Sequence, residues 1–477
     1  MLFLSLNFWI LFCLCFIAYY ALKAKYQNAL LLFVSCIFIG YYQLSFLITA
    51  VIISLFTYFW AQLIEKTSNE KRTNILYIGG LLLLVLIWIA FRNATTTEGI
   101  VQTLFPFLKT NAAVQSIVFP LGISFYTFQA IGYLTDVYWK EQEAERNPVN
   151  FLLFMLFFMK FLSGPIERAG DLLVRLKEDK PFRYQSIVYG MKLIFLGLFK
   201  KLVIANRIEP HTDLMFGSIH QLSGLQLLMT CLIYPIELYA DFSGYTDIAI
   251  GGARMFGIQL SPNFNRPFSA RTTTEFWRRW HMSLSFWVRD YLYVPLTAFT
   301  RGWGKWGIYS SLILTFVVLG VWHGVGWSFA IYGLIQGLLI CWEVKFSFFR
   351  KNLKKVVGEF GANALLILRT YLLFALSLIF FRMGSISDAF YYLRNISFTV
   401  HDSWKEMNIG ITDHYCLVIG LSLLALFIFE YFNAKRDLLE ALEQQPAWVR
   451  WSIYYLLIFA LFSMGSFEAE SFIYLQF

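Results

Sequence analysis

Charge is what this sequence has least of. Asp, Glu, Lys and Arg supply only 14% of its 477 residues, whereas charged residues approach a quarter of an ordinary soluble domain. No long hydrophilic tract interrupts the chain, which leaves no room for a separate soluble domain. Cysteine is also scarce: Cys13, Cys15, Cys36, Cys231, Cys341 and Cys416 mostly sit inside apolar runs, and none forms a C-x-x-C pair. Buried packing is the expected use of these residues, rather than disulfides or a metal site. Three soluble-type chemistries lack their signatures. There is no G-x-S-x-G elbow for a serine nucleophile, no H-E-x-x-H for zinc, and no G-x-x-x-x-G-K-[ST] phosphate loop.

What is present is hydrophobicity, 58% of the chain with 19% aromatic, arranged in runs long enough to cross a bilayer. Backbone polar groups in lipid must be satisfied internally, so runs of this length read as helices. The expected fold is therefore all-α, a polytopic transmembrane bundle in one membrane-embedded domain over residues 1–477. Within it we distinguish N-terminal helices (1–112), a core (113–342) and C-terminal helices (343–477). About eleven or twelve crossings are expected, some of them kinked or re-entrant. The net charge of +9 could suggest nucleic acid. It lies in short loops, where the positive-inside bias and anionic lipid account for it better.

The first apolar segment, Leu2 to Leu22, has neither a basic n-region nor a small-residue cleavage site, and reads as a retained helix. The tract from about Asn28 to Ile64 is too long for one crossing and predicts two segments or a bent pair. Asn74 to Phe91 predicts a further span, and Arg92 to Ala112 a polar connection. Pro120 and Gly122 predict a break in the segment Ala113 to Tyr138. Later spans are expected near Ile187–Val203, Leu225–Ala240, Ile308–Val321, Val325–Trp342, Ala364–Phe381, Cys416–Tyr431 and Trp451–Met464. The glycine-rich Gly302 to Gly307 reads as a loop.

Polar chemistry concentrates between Asp241 and Trp327. Such residues are costly between hydrocarbon-length segments and mark a functional region by default. Glu237, Asp241 and Tyr245 recur every four residues and share one helix face. Two carboxylates there need cationic or hydrogen-bonding partners, and Arg254 or an arginine of the next segment is the expected partner. Asp241 thus reads either as part of a buried ion network or as the lining of a polar tunnel. Ser261 to Pro267 is too polar and proline-rich for a lipid-facing helix and must be loop or cavity lining. Thr272 and Glu275 match a capping box. From there, helical periodicity puts Trp277, Trp280, His281, Leu284, Trp287, Val288 and Tyr291 on one arc, with Arg278, Arg279 and Arg289 outside it. The arginines could anchor lipid headgroups or receive the phosphates of a donor such as coenzyme A. His281 on the apolar arc is either a satisfied structural residue or part of the chemistry. His323 lies between two apolar runs and is flanked by Gly320, Gly324 and Gly326. Its imidazole could take a proton from a hydroxyl, or it could be structural.

Taken together, these strings resemble the membrane-bound O-acyltransferase (MBOAT) family, in its bacterial branch with the alginate O-acetylation membrane subunit and the subunit that exports D-alanine to teichoic acids. They are Phe119 to Phe128, Ser163-Gly-Pro-Ile-Glu-Arg168, Asp241 to Asp247, Asn263-Phe-Asn-Arg-Pro267, Glu275 to His281, Arg289-Asp-Tyr-Leu-Tyr293, Val321-Trp-His-Gly324 and the terminal Phe472 to Phe477. Arg266 and Glu167 are small departures, bearing on the acceptor rather than the class. The resemblance implies a funnel with His323 at its floor, where acyl donor and acceptor meet, and His281 as a second family histidine. Asp241, Asn263, Trp280 and Arg289 occupy motif positions as substrate or tunnel candidates. It further implies an enzyme that moves a small acyl group, most readily acetyl, from a cytoplasmic thioester to an exported polysaccharide. The thioester, acetyl-coenzyme A or an acylated carrier protein, would be a co-substrate, with no bound cofactor and no metal. A separate exported hydrolase-like partner and multi-pass insertion in the cell inner membrane would follow. D-alanyl or other acyl transfer to teichoic acid, peptidoglycan or lipid keeps the same chemistry. A proton-coupled transporter and a membrane scaffold are the readings from other classes.

Overall fold

The computed structural model describes residues 3–92, 122–162, 164–324, 326–397 and 413–467. Ser163, Val325, Pro120, most of the 92–112 connection and the terminal 472–477 string therefore lie outside the described residues. The regular elements described are all helices. Nine of them are long and apolar enough to cross a membrane, and two apolar segments, Leu6–Ala21 and Pro148–Phe161, are shorter.

By contacts the chain divides into two compact units, Met1–Gly190 with Ala249–Ser261, and Met191–Ile248 with Pro262–Phe477. In the first, α1 (Leu6–Ala21) starts where the Ser5 hydroxyl accepts from the Phe8 amide. The long apolar tract is indeed a pair, α2 (Ala24–Tyr42) and α3 (Leu44–Lys66), hinged at the extended residue Gln43 (φ −164°). Next come α4 (Glu70–Arg92) and α5 (Ile123–Tyr138), whose start is set by Gly122 at φ 74°. A side chain at Gly122 would be strained by that φ and would meet the Phe161 carbonyl at 2.8 Å, so the expected break falls where only glycine fits. α6 (Pro148–Leu156), α7 (Phe158–Phe161), α8 (Ala169–Lys177) and the first turns of α9 (Tyr184–Leu198) complete this unit. Its core is aromatic: Phe8 and Phe158 lie 6.4 Å apart, Phe12 and Phe256 5.3 Å, and Tyr133 and Phe151 4.8 Å.

In the second unit α9 runs on into a π-helical turn, Phe199–Ala205, and then α10 (Asn206–Gly217). α11 (Gly224–Met255) carries the Asp241 to Asp247 string in mid-helix, its last turns from Ala249 belonging to the first unit. The segment 261–266 is not helical, as its prolines and asparagines require. Short helices α12 (Thr273–Trp277) and α13 (Met282–Val288), a second π turn (Arg289–Tyr293) and α14 (Val294–Phe299) lead to α15 (Lys305–His323) and α16 (Trp327–Lys345). α15 and α16 pack backbone to backbone. A Cβ on Gly320 would come within 2.2 Å of the Phe329 carbonyl, and one on Gly333 within 2.1 Å of the Phe316 carbonyl. The unit ends with α17 (Ser347–Arg382, kinked at Gly358), α18 (Ile386–Asn395), α19 (Asp413–Asn433), α20 (Leu438–Ala441) and α21 (Ala447–Met464).

Candidate active site

The capping box places α12: the Thr272 hydroxyl accepts from the Glu275 amide at 3.0 Å. The Glu275 carboxylate turns to the Arg271 amide instead of completing the box at Thr272. α12 is then fastened by buried polar groups of α16. Glu343, paired with Arg369 at 2.5 Å, accepts from the Thr273 amide at 2.8 Å, and Gln336 accepts from the Trp277 indole at 3.0 Å.

The single amphipathic helix expected from Thr273 to Tyr291 is not formed. It breaks at His281, whose backbone is left-handed (φ 43°, ψ 55°). The cause is tertiary. The extended segment beside it donates Asn265 N to the Arg279 carbonyl at 2.9 Å, and Met282 N donates back to the Asn263 carbonyl at 2.8 Å. These bonds draw the chain out of helix on both sides of Trp280 and His281. The apolar arc is nonetheless buried at Trp277, Trp280, His281, Leu284, Trp287 and Val288, while Arg278 and Arg289 are exposed.

His281 is 1% exposed, its ring edge-on to Phe242 at 4.7 Å. Its Nδ1 lies 3.1 Å from Asn263 Oδ1, which also accepts from the Ser283 amide (3.2 Å) and the Ser283 hydroxyl (2.8 Å). A backbone N–H can only donate, so the Asn263 atom is the oxygen and His281 Nδ1 carries the proton. The lone pair of His281 is on Nε2. Burial holds this imidazole well below its ordinary pKa, and the neighbouring charge of His323 pushes in the same direction.

His323 closes α15 with its Nδ1 2.7 Å from the Leu319 carbonyl one turn back. A carbonyl can only accept, so His323 too is protonated at Nδ1, with its lone pair on Nε2. The rings of Trp322 (4.7 Å) and Phe381 (5.4 Å) stand edge-on to it. The second unit thus holds two imidazoles, each oriented by a hydrogen bond at Nδ1, so that Nε2 is the basic atom of either ring when it is neutral. Such a pair can accept protons from a hydroxyl without first losing one.

The other candidates separate. Asn263 is the residue that orients His281. Trp280 packs into an aromatic cluster, stacked on Phe276 at 5.5 Å and edge-on to Phe264 at 5.2 Å. Arg289 stands on the second π turn with a 55% exposed side chain, paired with Asp290 at 2.5 Å. Asp241 does belong to a buried ion network, but its partner is not an arginine. Lys201 Nζ reaches it at 2.5 Å and Glu209 at 3.5 Å, while Arg254 lies over the Tyr189 ring. Next to it Lys200 pairs with Asp247 at 2.7 Å. Both lysines come from the first π turn. The sequence signal for them was their position inside the apolar run 187–205, where a charge needs a named partner. Among the described residues no cluster of three or more His, Cys, Asp or Glu could hold a metal ion.

Apolar spans, buried ion pairs and two buried imidazoles define the class as a multi-pass helical membrane protein with a polar interior site. The family model described as MBOAT, membrane-bound O-acyltransferase family, matches residues 141–385, just over half the chain. The peptidoglycan O-acetyltransferase of Helicobacter pylori is 32% identical over 356 residues, 68% of this chain and 67% of that protein. The probable alginate O-acetylase AlgI of Pseudomonas aeruginosa is 29% identical over 426 residues, 88% of this chain and 78% of that protein. The teichoic acid D-alanyltransferase of Bacillus subtilis is 35% identical over 248 residues, 49% of this chain and 60% of that protein. The chain therefore spans about two thirds of the Helicobacter relative's length. This chain belongs to the membrane-bound O-acyltransferase family, and the chemistry of that family is O-acyl transfer.

Proposed function

We propose that the chain takes a small acyl group, acetyl foremost, from a cytoplasmic thioester and delivers it across the inner membrane for O-acylation of an exported polysaccharide. The donor is acetyl-coenzyme A or an acylated carrier protein, and a separate exported hydrolase-like protein completes delivery. The observation carrying this reading is the His323 Nδ1 bond to the Leu319 carbonyl, which leaves the Nε2 lone pair as the basic atom. His323 acts as the general base. An acceptor hydroxyl loses its proton to His323 Nε2 while its oxygen adds to the thioester carbonyl carbon. Collapse of the tetrahedral intermediate breaks the C–S bond, and the proton passes to the departing thiolate. His281 is protonated at Nδ1, so its Nε2 accepts rather than donates. Its role is to hold the acceptor by taking a hydrogen bond from a neighbouring hydroxyl, since the reacting O–H gives its one proton to His323, and stabilisation of the oxyanion falls to backbone N–H donors.

The test is donor thioester turnover in membranes together with the acyl content of exported glycans, at matched protein abundance. His323→Ala is expected to lower both by about 10² to 10⁴. Undiminished turnover in that variant would move the transporter or scaffold reading ahead. A second reading, D-alanyl transfer to a teichoic acid, is favoured by the B. subtilis relative named for it. Mild alkaline release from the acceptor separates the two, giving acetate in the first case and D-alanine in the second.

A further inference from the structure

The proposed reaction places a negative charge on the acyl oxygen, and the helix that faces His323 carries donors able to receive it. α15 and α16 run antiparallel in a fixed register. A Cβ on Gly337 would lie 2.9 Å from the Ile313 Cα, one on Gly333 3.0 Å from the Val317 Cα, and one on Gly320 2.2 Å from the Phe329 carbonyl oxygen. Each turn forward on α15 is therefore met by a turn back on α16. His323, nearly a turn beyond Gly320, falls beside the first turn of α16, and a Cβ on its neighbour Gly324 would strike the Phe329 ring at 2.0 Å. Tyr332 confirms that register, with its ring 6.5 Å from the His323 ring. Ser328 is one turn before Tyr332 and shares its face, so the face that carries Ser328 is the one that meets His323.

The first amides of a helix have no intrahelical acceptor, and the N-cap of α16 is Gly326, which has no side chain to satisfy them. Ser328 adds a second donor there. It is 1% exposed, yet its hydroxyl has no hydrogen-bond partner among the described residues. A buried hydroxyl is normally satisfied, and one left without a partner costs stability. It is also aimed at the start of the helix. Apart from its chain neighbours, a Cβ built on Gly326 would meet a single atom of the described residues within 4 Å, Ser328 Oγ at 3.8 Å. The hydroxyl thus borders open space at the amide end of α16. We infer that Ser328 is a catalytic residue of the acyl transfer, its hydroxyl donating to the thioester carbonyl oxygen beside the first amides of α16. This rests on the acyl-transfer reading with His323 as base. As the acceptor oxygen adds to the carbonyl carbon, the C=O π pair moves onto the acyl oxygen. Ser328 Oγ–H and the amides donate hydrogen bonds to it and keep their protons. The pair returns to re-form C=O as the C–S bond breaks and the thiolate leaves. Donors already in place gain most at the moment that oxygen is charged.

The experiment measures kcat and KM for acetyl-coenzyme A and for an acetylated carrier protein with the full chain in membranes, together with the thermal midpoint of the full chain. Ser328→Ala is expected to lower kcat about 10²-fold with little change in KM. Its midpoint should stay equal or rise, because the change removes a hydroxyl that no protein group uses. Ser328→Thr keeps the hydroxyl and should recover most of the lost kcat. A native kcat in Ser328→Ala, or a kcat lowered only in step with a lower midpoint, overturns the role of Ser328. His323→Ala separates the two ways of failing. If it abolishes turnover while Ser328→Ala leaves kcat unchanged, the role of Ser328 falls and the acyl-transfer reading stands. If His323→Ala keeps native turnover, or the native chain consumes neither thioester, that reading fails and this inference with it. Should Ser328→Thr not fold, Ser328→Ala decides alone.

Discussion

One oxygen, Asn263 Oδ1, collects three donors, and His281 is the one whose chemistry it sets. Replacing Asn263 with Leu removes the acceptor but keeps the volume, which frees the His281 ring to rotate and to change tautomer. Turnover should fall about 10-fold to 100-fold, within the span seen for groups that orient a ligand-bearing histidine. Asn263→Asp keeps an acceptor at the site and should recover most of the loss. Equal losses in the two variants, measured as kcat and KM separately, would mean that Asn263 serves packing alone. The same histidine makes a pH prediction. An unfolded-state histidine titrates near ~6.5, whereas burial and His323 hold folded His281 well below its ordinary value. Above that pH both states are neutral and the shift costs nothing. As pH falls below ~6.5 the unfolded chain binds a proton that the folded site refuses, so stability declines from there down to the folded pKa. The thermal midpoint should drop on acidification through pH 6, and His281→Gln should flatten that part of the curve.

Among the elements, the π turn Phe199–Ala205, with its i→i+5 bonding, carries the most unusual load, because adjacent Lys200 and Lys201 on it pair with two acids of α11. Lys201 and Asp241 are both essentially fully buried. Removing one member of such a pair strands the other, at a cost of about 3–5 kcal/mol. Lys201→Met is therefore expected to lower the thermal midpoint sharply, and Lys201→Met with Asp241→Leu to restore much of it. A double variant no better than the single one would place the carboxylate's support elsewhere. Local pattern foretold the face shared by Glu237, Asp241 and Tyr245, the cap at Thr272 and the break at Gly122, because each follows from spacing or from a residue's own backbone preference. It did not foretell Lys201 as the partner of Asp241, or the break at His281. Both depend on a segment elsewhere in the chain: Asn263 and Asn265 bond the chain around residue 281 from some 14 to 20 residues away. Periodicity cannot register a hydrogen bond that competes with the helix from outside it.

For the whole molecule, the division between apolar spans and polar interior was legible because the bilayer imposes length and composition directly. Which face of each span meets lipid was not, since the helices are apolar nearly all round. The structure separates the faces. In α4 only 11% of the spanning window is buried; Leu84 is fully buried, while Leu82 and Leu86 are 57% and 60% exposed. Leu82 lies near mid-helix, so an exposed face there is a face toward hydrocarbon. Placing arginine at such a position costs about 2.5 to 3.5 kcal/mol on insertion scales, less where the side chain can reach a headgroup. Leu82→Arg should reduce the membrane-inserted fraction of the full chain, scored by labelling of a single cysteine beside the span, while Leu82→Phe leaves it unchanged. Leu84→Ala should insert normally and lose about 2 to 5 kcal/mol of folded stability instead, because it opens a cavity against packed neighbours. The two effects belong to different steps, entry into lipid and packing within it. If Leu82→Arg inserts as well as the native chain, α4 does not present that face to the bilayer, and its exposed leucines must be read as a surface covered by another protein.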